Sequence, residues 1–319
     1  MRSRSRPSRP EVARAAALVV AALVLLATAA LGGPGPRSAS AATGPAAAVA
    51  AAPVTATPRA APAAVRQDDL TRRGLPSRTA WRAATQRARR WAAAQPERIR
   101  FALRVEDRSW AFRGAERTNS NSVLKATVLV AYLRRGSVRD RPLTRRERAL
   151  LEPMIRRSAN GPVPPLIDAI GGLEPLRAVA RRGGMRRFAP VRTPWGTSQI
   201  TAADEVAFFA ALPSLLPPRH RAYALELLRT IVPSQRWGLA RAAPAGWLAR
   251  FKGGWDDHGD VKQVMRLECA DRVVVASVLV DGTDHERSIA AIERVGRRLL
   301  MPLRARGAEA CSSVLAPAP

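Results

Sequence analysis

Lysine is nearly absent from this chain of 319 residues, occurring only as Lys125, Lys252 and Lys262 against fifty arginines. Such a bias reads as the codon usage of a GC-rich genome, and it singles out each lysine that has been kept. Cysteine occurs twice, at Cys269 and Cys311, which excludes a disulfide-dense scaffold and most cysteine-based metal sites. The three histidines, His220, His258 and His285, are scattered, which argues against a zinc site or a His-dependent triad. Nothing in the sequence asks for a cofactor. Acid is also scarce, with 25 acidic against 53 basic side chains and a formal net charge of +28. The apolar fraction of 47% is nevertheless ample for a core, so the chain is not of the disordered class.

The first residues are organised as an export signal. Arg2, Arg4, Arg6, Arg9 and Arg14 precede an uncharged run from Ala15 to Gly32, and Ser38-Ala39-Ser40-Ala41 then offers a small-residue cleavage site. Basic, apolar and small-residue segments in that order mark secretion, although about 18 apolar residues also suffice for an uncleaved anchor. Residues 1–41 are therefore expected to be a signal peptide or anchor. The Ala/Pro-rich stretch 42–66 reads as a linker, residues 67–310 as one domain and 311–319 as a tail. Outside the cytoplasm the two cysteines would be free to pair; the sequence does not decide whether they do.

Within the domain, Trp81, Ala84, Ala88 and Trp91 recur at helical spacing. Ile99–Val105 alternates as a strand, and Ser109–Arg113 returns beside it as a hairpin. Helical patterns fill the middle: 123–133, 144–157, 173–182, 201–212 and 219–231. Three strand-like runs follow, 247–253, 261–270 and 272–280, before a helix from Asp284 to about Arg304. Strands at both ends and helices between predict an α+β fold, an antiparallel sheet built from both chain ends with a helical middle region. Trp81, Trp91 and Trp110 are expected in the core, and Trp237 and Trp255 near the cleft, where core packing is expected in preference to a place in its wall.

Three motifs carry chemistry. Ser122-Val123-Leu124-Lys125 opens a helix, where the i, i+3 spacing puts both side chains on one face. A serine hydroxyl needs a neighbour to take its proton; a buried lysine can do so, and an arginine cannot. Read alone, Ser122 is as well a helix cap and Lys125 a solvated charge. Ser158-Ala159-Asn160 follows a helix end, where a serine could relay a proton and an asparagine amide could hold a carbonyl, though by itself the tripeptide is a turn signal. Lys252-Gly253-Gly254 ends an apolar strand; small residues there let a substrate backbone lie alongside.

In that order the three motifs resemble those of the penicillin-recognising active-site serine hydrolases, the class A β-lactamases and their D,D-peptidase relatives. The likeness runs from about Ile99 to Leu300. It implies Ser122 as the acylated nucleophile, Lys125 as its base and Ser158 as the proton shuttle. Asn160, Lys252, Gly253 and Gly254 would bind substrate, and the backbone N–H groups of Ser122 and Trp255 would form the oxyanion hole. The implied partner is a β-lactam or a cell-wall peptide.

The chain departs from the family pattern in four places. Ala159 replaces an aspartate, and Gly253 replaces a threonine or serine whose hydroxyl would help hold a substrate carboxylate. The Ser122–Ser158 interval is short, so one rim of the cleft should be trimmed. No Asp or Glu lies between Glu174 and Asp204, the interval expected to hold the glutamate that activates the hydrolytic water. Thr201-Ala202-Ala203-Asp204 reads as a helix capping box. Acylation with poor turnover of β-lactams is the expectation, with a non-catalytic envelope-binding module of the same fold as the alternative. The arginines are spread over most helices without a nucleic-acid motif. Weak, salt-sensitive contact with anionic envelope polymers or lipids is therefore expected, with no nucleic-acid partner. A monomer is expected.

Overall fold

The computed structural model describes residues 69–304 and Cys311. The segments expected as export signal, 1–41, and linker, 42–66, and residues 312–319 of the expected tail lie outside the described residues. After a short α1 (Asp69–Arg72), α2 (Arg78–Ala93) begins where the Ser77 hydroxyl accepts the Ala80 N–H, the usual way to satisfy an orphan donor at a helix start. The hairpin β1 (Arg98–Val105) and β2 (Arg108–Phe112) follows, then the two-residue β3 (Thr118–Asn119). The middle is helical: α3 (Leu124–Leu133), α4 (Arg145–Arg156), α5 (Val163–Ala169) and α6 (Glu174–Arg182). A short β4 (Gln199–Ile200) pairs with β3 and leads into α7 (Ala202–Leu215), α8 (Pro218–Arg229) and α9 (Leu239–Ala242). The chain returns through β5 (Leu248–Trp255), β6 (Val261–Cys269) and β7 (Arg272–Asp281), then α10 (His285–Leu299) and α11 (Met301–Arg304).

The five long strands form one antiparallel sheet in the order β2-β1-β7-β6-β5. Its central ladder joins the two ends of the domain, with Leu103 opposite Ala276 and Phe101 opposite Val278. β6 and β7 are buried along almost their whole length, as strands covered on both faces must be. Alternation along β6 shows the two covers. Gln263 reaches the start of α9, and Arg266, an odd number of residues on, donates to the carbonyls of Phe209 and Ala210 in α7. Helices α2 and α10 pack with α9 on the first side, and α7 on the second.

α3 is the hub of the second side, packed against α4, α5, α6 and α8. All ten of its residues are buried, which fits a helix apolar on every face but for Lys125 and Thr127. Trp81 is fully buried as expected, and Trp91 and Trp110 are partly buried against the core. The α7 cap refines the sequence reading. Thr201 accepts the Asp204 N–H, but the Asp204 carboxylate accepts the backbone N–H groups of Arg186 and Arg187 at 2.9 and 2.8 Å. It pins the preceding loop instead of closing a capping box.

The third lysine is structural. Lys262, fully buried, donates to the Val280 carbonyl and Asp281 at 2.7 Å and pairs with Asp260 at 3.2 Å. Cys269 and Cys311, 42 residues apart, form a disulfide with a Cα–Cα distance of 5.6 Å. Among the described residues no helix is long and apolar enough to cross a membrane.

Candidate active site

The 3-10 turn Asn121–Val123 feeds directly into α3 and packs against β5, the edge strand of the sheet. The approach is close. A Cβ on Gly254 would come within 2.4 Å of the Ser122 backbone nitrogen, so only glycine permits strand and turn to meet here. Asn121, at φ 45°, turns the chain just ahead of the serine; asparagine is among the few residues that accept this left-handed conformation readily.

Lys125 lies one turn into α3 with no exposed surface. Its Nζ is 2.8 Å from Ser122 Oγ, 2.5 Å from the Ser158 carbonyl, 2.7 Å from Asn160 Oδ1 and 3.5 Å from Ser158 Oγ. Burial lowers its pKa to about 7, because the charged form loses water that these neutral oxygens replace only in part. Ser158 follows the end of α4 with φ 56°, a strained conformation for a serine that turns both its carbonyl and its hydroxyl toward Lys125. From the other side Lys252, 1% exposed, donates to Ser158 Oγ at 2.8 Å and to the Gly253 carbonyl at 2.6 Å. Its pKa lies well below the lysine range, through burial first and the nearby Lys125 second.

The structure thus brings Ser122, Lys125, Ser158, Asn160, Lys252 and the two glycines together where α3, the α4–α5 turn and β5 meet. Ala159 is held by its backbone alone, its N–H donating to the Pro153 carbonyl. Trp255 and Trp237 take a different place from the one a cleft wall would need. Trp255 points to the opposite face of β5 from Lys252, and its ring meets Trp237 at 5.5 Å and His285 at 6.4 Å. Both tryptophans are half-buried against the core.

Sequence reasoning passed over two residues. Trp195, in the acid-free loop before α7, places its ring centroid 4.9 Å from Lys125 Nζ. Gln263, fully buried on β6, accepts the Leu239 N–H and donates to the Trp237 carbonyl, fixing the segment beside Gly253. A tryptophan in a loop has no periodicity to betray it; a glutamine within a buried apolar strand is a visible signal. Among the described residues no group of three or more His, Cys, Asp or Glu is placed to hold a metal ion.

No protein-family model and no curated protein matches the sequence. Solved structures match the fold over almost their whole length. An ancestral class A β-lactamase, that of the last common ancestor of Gram-negative bacteria, superposes with a TM-score of 0.59 at 22% identity, over 68% of this chain and 99% of its own. PBP-A superposes with a TM-score of 0.59 at 18% identity, over 70% of this chain and 96% of its own. A mutant of PBP-A, solved as an acyl-enzyme complex with penicillin G, gives 0.60 at 18% identity, over the same shares of 70% and 96%. The fold is that of the class A β-lactamases and penicillin-binding proteins, a fold of serine hydrolases.

Proposed function

We propose that the protein is an exported serine hydrolase that forms an acyl-enzyme at Ser122 on β-lactam or peptidoglycan-like amide substrates and turns β-lactams over poorly. The observation that carries this reading is the 2.8 Å contact between Ser122 Oγ and a fully buried Lys125 whose pKa lies near 7. At neutral pH a large fraction of such a lysine is uncharged and has a lone pair for the serine proton.

In the forward step Lys125 takes that proton while Oγ attacks the substrate carbonyl carbon. The backbone N–H groups of Ser122 and Trp255 stabilise the developing oxyanion. As the C–N bond breaks, the leaving nitrogen takes a proton through Ser158, whose hydroxyl lies between the two lysines. Asn160 spends its Oδ1 on Lys125, which leaves its amide N–H groups for a substrate carbonyl. Lys252, held toward its neutral form by burial and by Lys125, takes up a proton when a substrate carboxylate sits beside it, without a neighbouring hydroxyl because Gly253 has none.

Deacylation has no evident base. No acid lies between Glu174 and Asp204, and Asp204 is committed to Arg186 and Arg187. The disulfide supports a compartment outside the cytoplasm, in agreement with the export signal. Surface arginines favour weak contact with anionic envelope polymers there, and the domain acts as a monomer.

The test is intact-mass spectrometry of the full protein after incubation with a fluorescent penicillin, beside Ser122→Ala. The expected result is a persistent adduct on the wild type alone. The substitutions at Ala159 and Gly253 favour a second reading, a non-catalytic envelope-binding module. That reading predicts no adduct on either protein and no loss of penicillin.

A further inference from the structure

The loop that carries Trp195 is fastened to the segment that carries the nucleophile. Ala189 and Gln199 close it with a pair of backbone hydrogen bonds at 3.0 and 2.8 Å. Ser120, two residues before Ser122, donates its N–H to the Ser198 carbonyl at 2.7 Å and its hydroxyl to the Gly196 carbonyl at 3.3 Å. Within the loop the buried Ser198 hydroxyl donates to the Trp195 carbonyl at 2.7 Å and accepts the Val191 N–H at 2.9 Å. The ring is therefore held against Lys125 by ties that run to the nucleophile's own turn. The loop brings an indole to a place where it carries no carboxylate.

We infer that Trp195 is the positioning residue of this site, its ring shielding Lys125 and the ester on Ser122 from bulk water so that acylation is supported and hydrolysis withheld. The inference rests on the reading that Ser122 is acylated. Hydrolysis of that ester needs a water oxygen to attack the acyl carbon while a base takes one of its protons. The acyl C–Oγ bond then breaks, Ser122 regains a proton and the carboxylic acid departs. A ring packed beside Lys125 occupies space from which such a water would be activated by that amine.

Two properties of the ring oppose each other. Its π face attracts the charged lysine, and its bulk removes the water that would solvate that charge. In the resting site bulk prevails, because burial is the cause that dominates the Lys125 environment. After the serine proton has been taken, the π face steadies the ammonium together with the Ser158 carbonyl and Asn160. The groups facing Lys125 are the Ser122 and Ser158 hydroxyls, the Ser158 carbonyl, Asn160 Oδ1 and, across Ser158, the titratable Lys252 from β5. Arg192, the charged residue of the loop nearest in sequence to Trp195, pairs with Asp168.

The test compares Trp195→Ala and Trp195→Phe in the full protein, with the lifetime of the penicillin adduct, the pH midpoint of its formation and the thermal unfolding temperature as readouts. Trp195→Ala is expected to shorten the lifetime by about tenfold or more as water enters, and to raise the midpoint by about one pH unit. Trp195→Phe keeps a ring and is expected to stay near the wild type in both. Should the alanine variant fold poorly, Trp195→Gln carries the same expectation as alanine, since its amide fills space but binds water. An adduct on Trp195→Ala or Trp195→Gln with wild-type lifetime and midpoint overturns the inference. A wild type that forms no adduct overturns the Ser122 reading and this inference together, and is recognised because every variant is then equally unreactive.

Discussion

Lys252 Nζ lies 2.8 Å from Ser158 Oγ, on the far side of that hydroxyl from Lys125. One hydroxyl is thus shared by two buried amines, and both are shifted toward the neutral form. A proton that enters the site finds a short route between them. Under the proposed function, the protonation state of this pair governs the pH behaviour of acylation.

Acylation of Ser122 is expected to fall as pH drops through about 7, the value to which burial lowers Lys125. The sign follows from the active form: neutral lysine takes the serine proton, so protonation below that pH removes the base. The initial rate of adduct formation between pH 5.5 and 9 is the measurement. Lys125→Arg fixes a charge that cannot be lost. It is expected to reduce the rate by about a thousandfold, in a chain that otherwise uses arginine almost everywhere. A Lys125→Arg protein that reacts normally would remove the lysine from the mechanism.

The two glycines of β5 are expected to behave oppositely. A Cβ on Gly254 meets the Ser122 and Val123 backbone nitrogens at 2.4 and 2.9 Å, whereas one on Gly253 meets nothing closer than 3.5 Å. Gly254→Ala should cost about 1–3 kcal/mol of stability by overpacking and displace the nucleophile's turn. Gly253→Thr should fold normally and quicken acylation by carboxylate-bearing penicillins through the added hydroxyl. Thermal unfolding and adduct kinetics on the two variants check both halves.

Glu205 offers a stability test away from the cleft. It is 2% exposed, and burial first, then the nearby Asp204, raises its pKa to about 8. A carboxyl with a raised folded-state pKa contributes stability below its ordinary value of 4.5, and loses that contribution as pH rises through 8. Lys125, with a lowered pKa, acts in the other direction: above pH 7 the unfolded chain holds a proton there that the folded one does not, so stability gains with pH. Variant and wild type must therefore be compared at each pH. Glu205→Gln is expected to unfold at a higher temperature than the wild type at pH 9, and to lose that advantage at pH 6.

Removing the disulfide should weaken the fold without touching the chemistry. Closing a loop of 42 residues is worth about 4 kcal/mol, so Cys311→Ser should lower the unfolding temperature by about 8 °C or more. Cys269 ends β6, whereas the cleft glycines pair with Lys262 and Gln263 near its start. Adduct formation on folded Cys311→Ser is expected to match the wild type at 25 °C.

Much of the fold was legible because its periodicities are strong. The alternation of Ile99–Val105, the apolar runs of β6 and β7 and the largely apolar α3 each leave one reasonable reading. The convergence of Ser122, Lys125, Ser158 and Lys252 was legible through the motifs and through the rarity of lysine. Other features depend on distant partners. The Cys269–Cys311 bond joins a strand to the far end of the chain, and Asp204 resembles half of a capping box until Arg186 and Arg187 are seen beside it. Trp195 was hidden because its role depends on the loop closure by Ser120 and Ser198, serines that carry no motif.

The sheet order sets a timetable for folding. β1 pairs with β7, so the central ladder joins Arg98 to Asp281 and Val105 to Val274. A chain leaving the ribosome from its N-terminus must release most of its length before this ladder can form, and contacts between such distant residues close slowly. Until then the β1–β2 hairpin has no sheet to join, and α7 has no completed face to cover. The domain thus stays open until β7 has been made, the condition in which a polypeptide can still be threaded through a narrow pore.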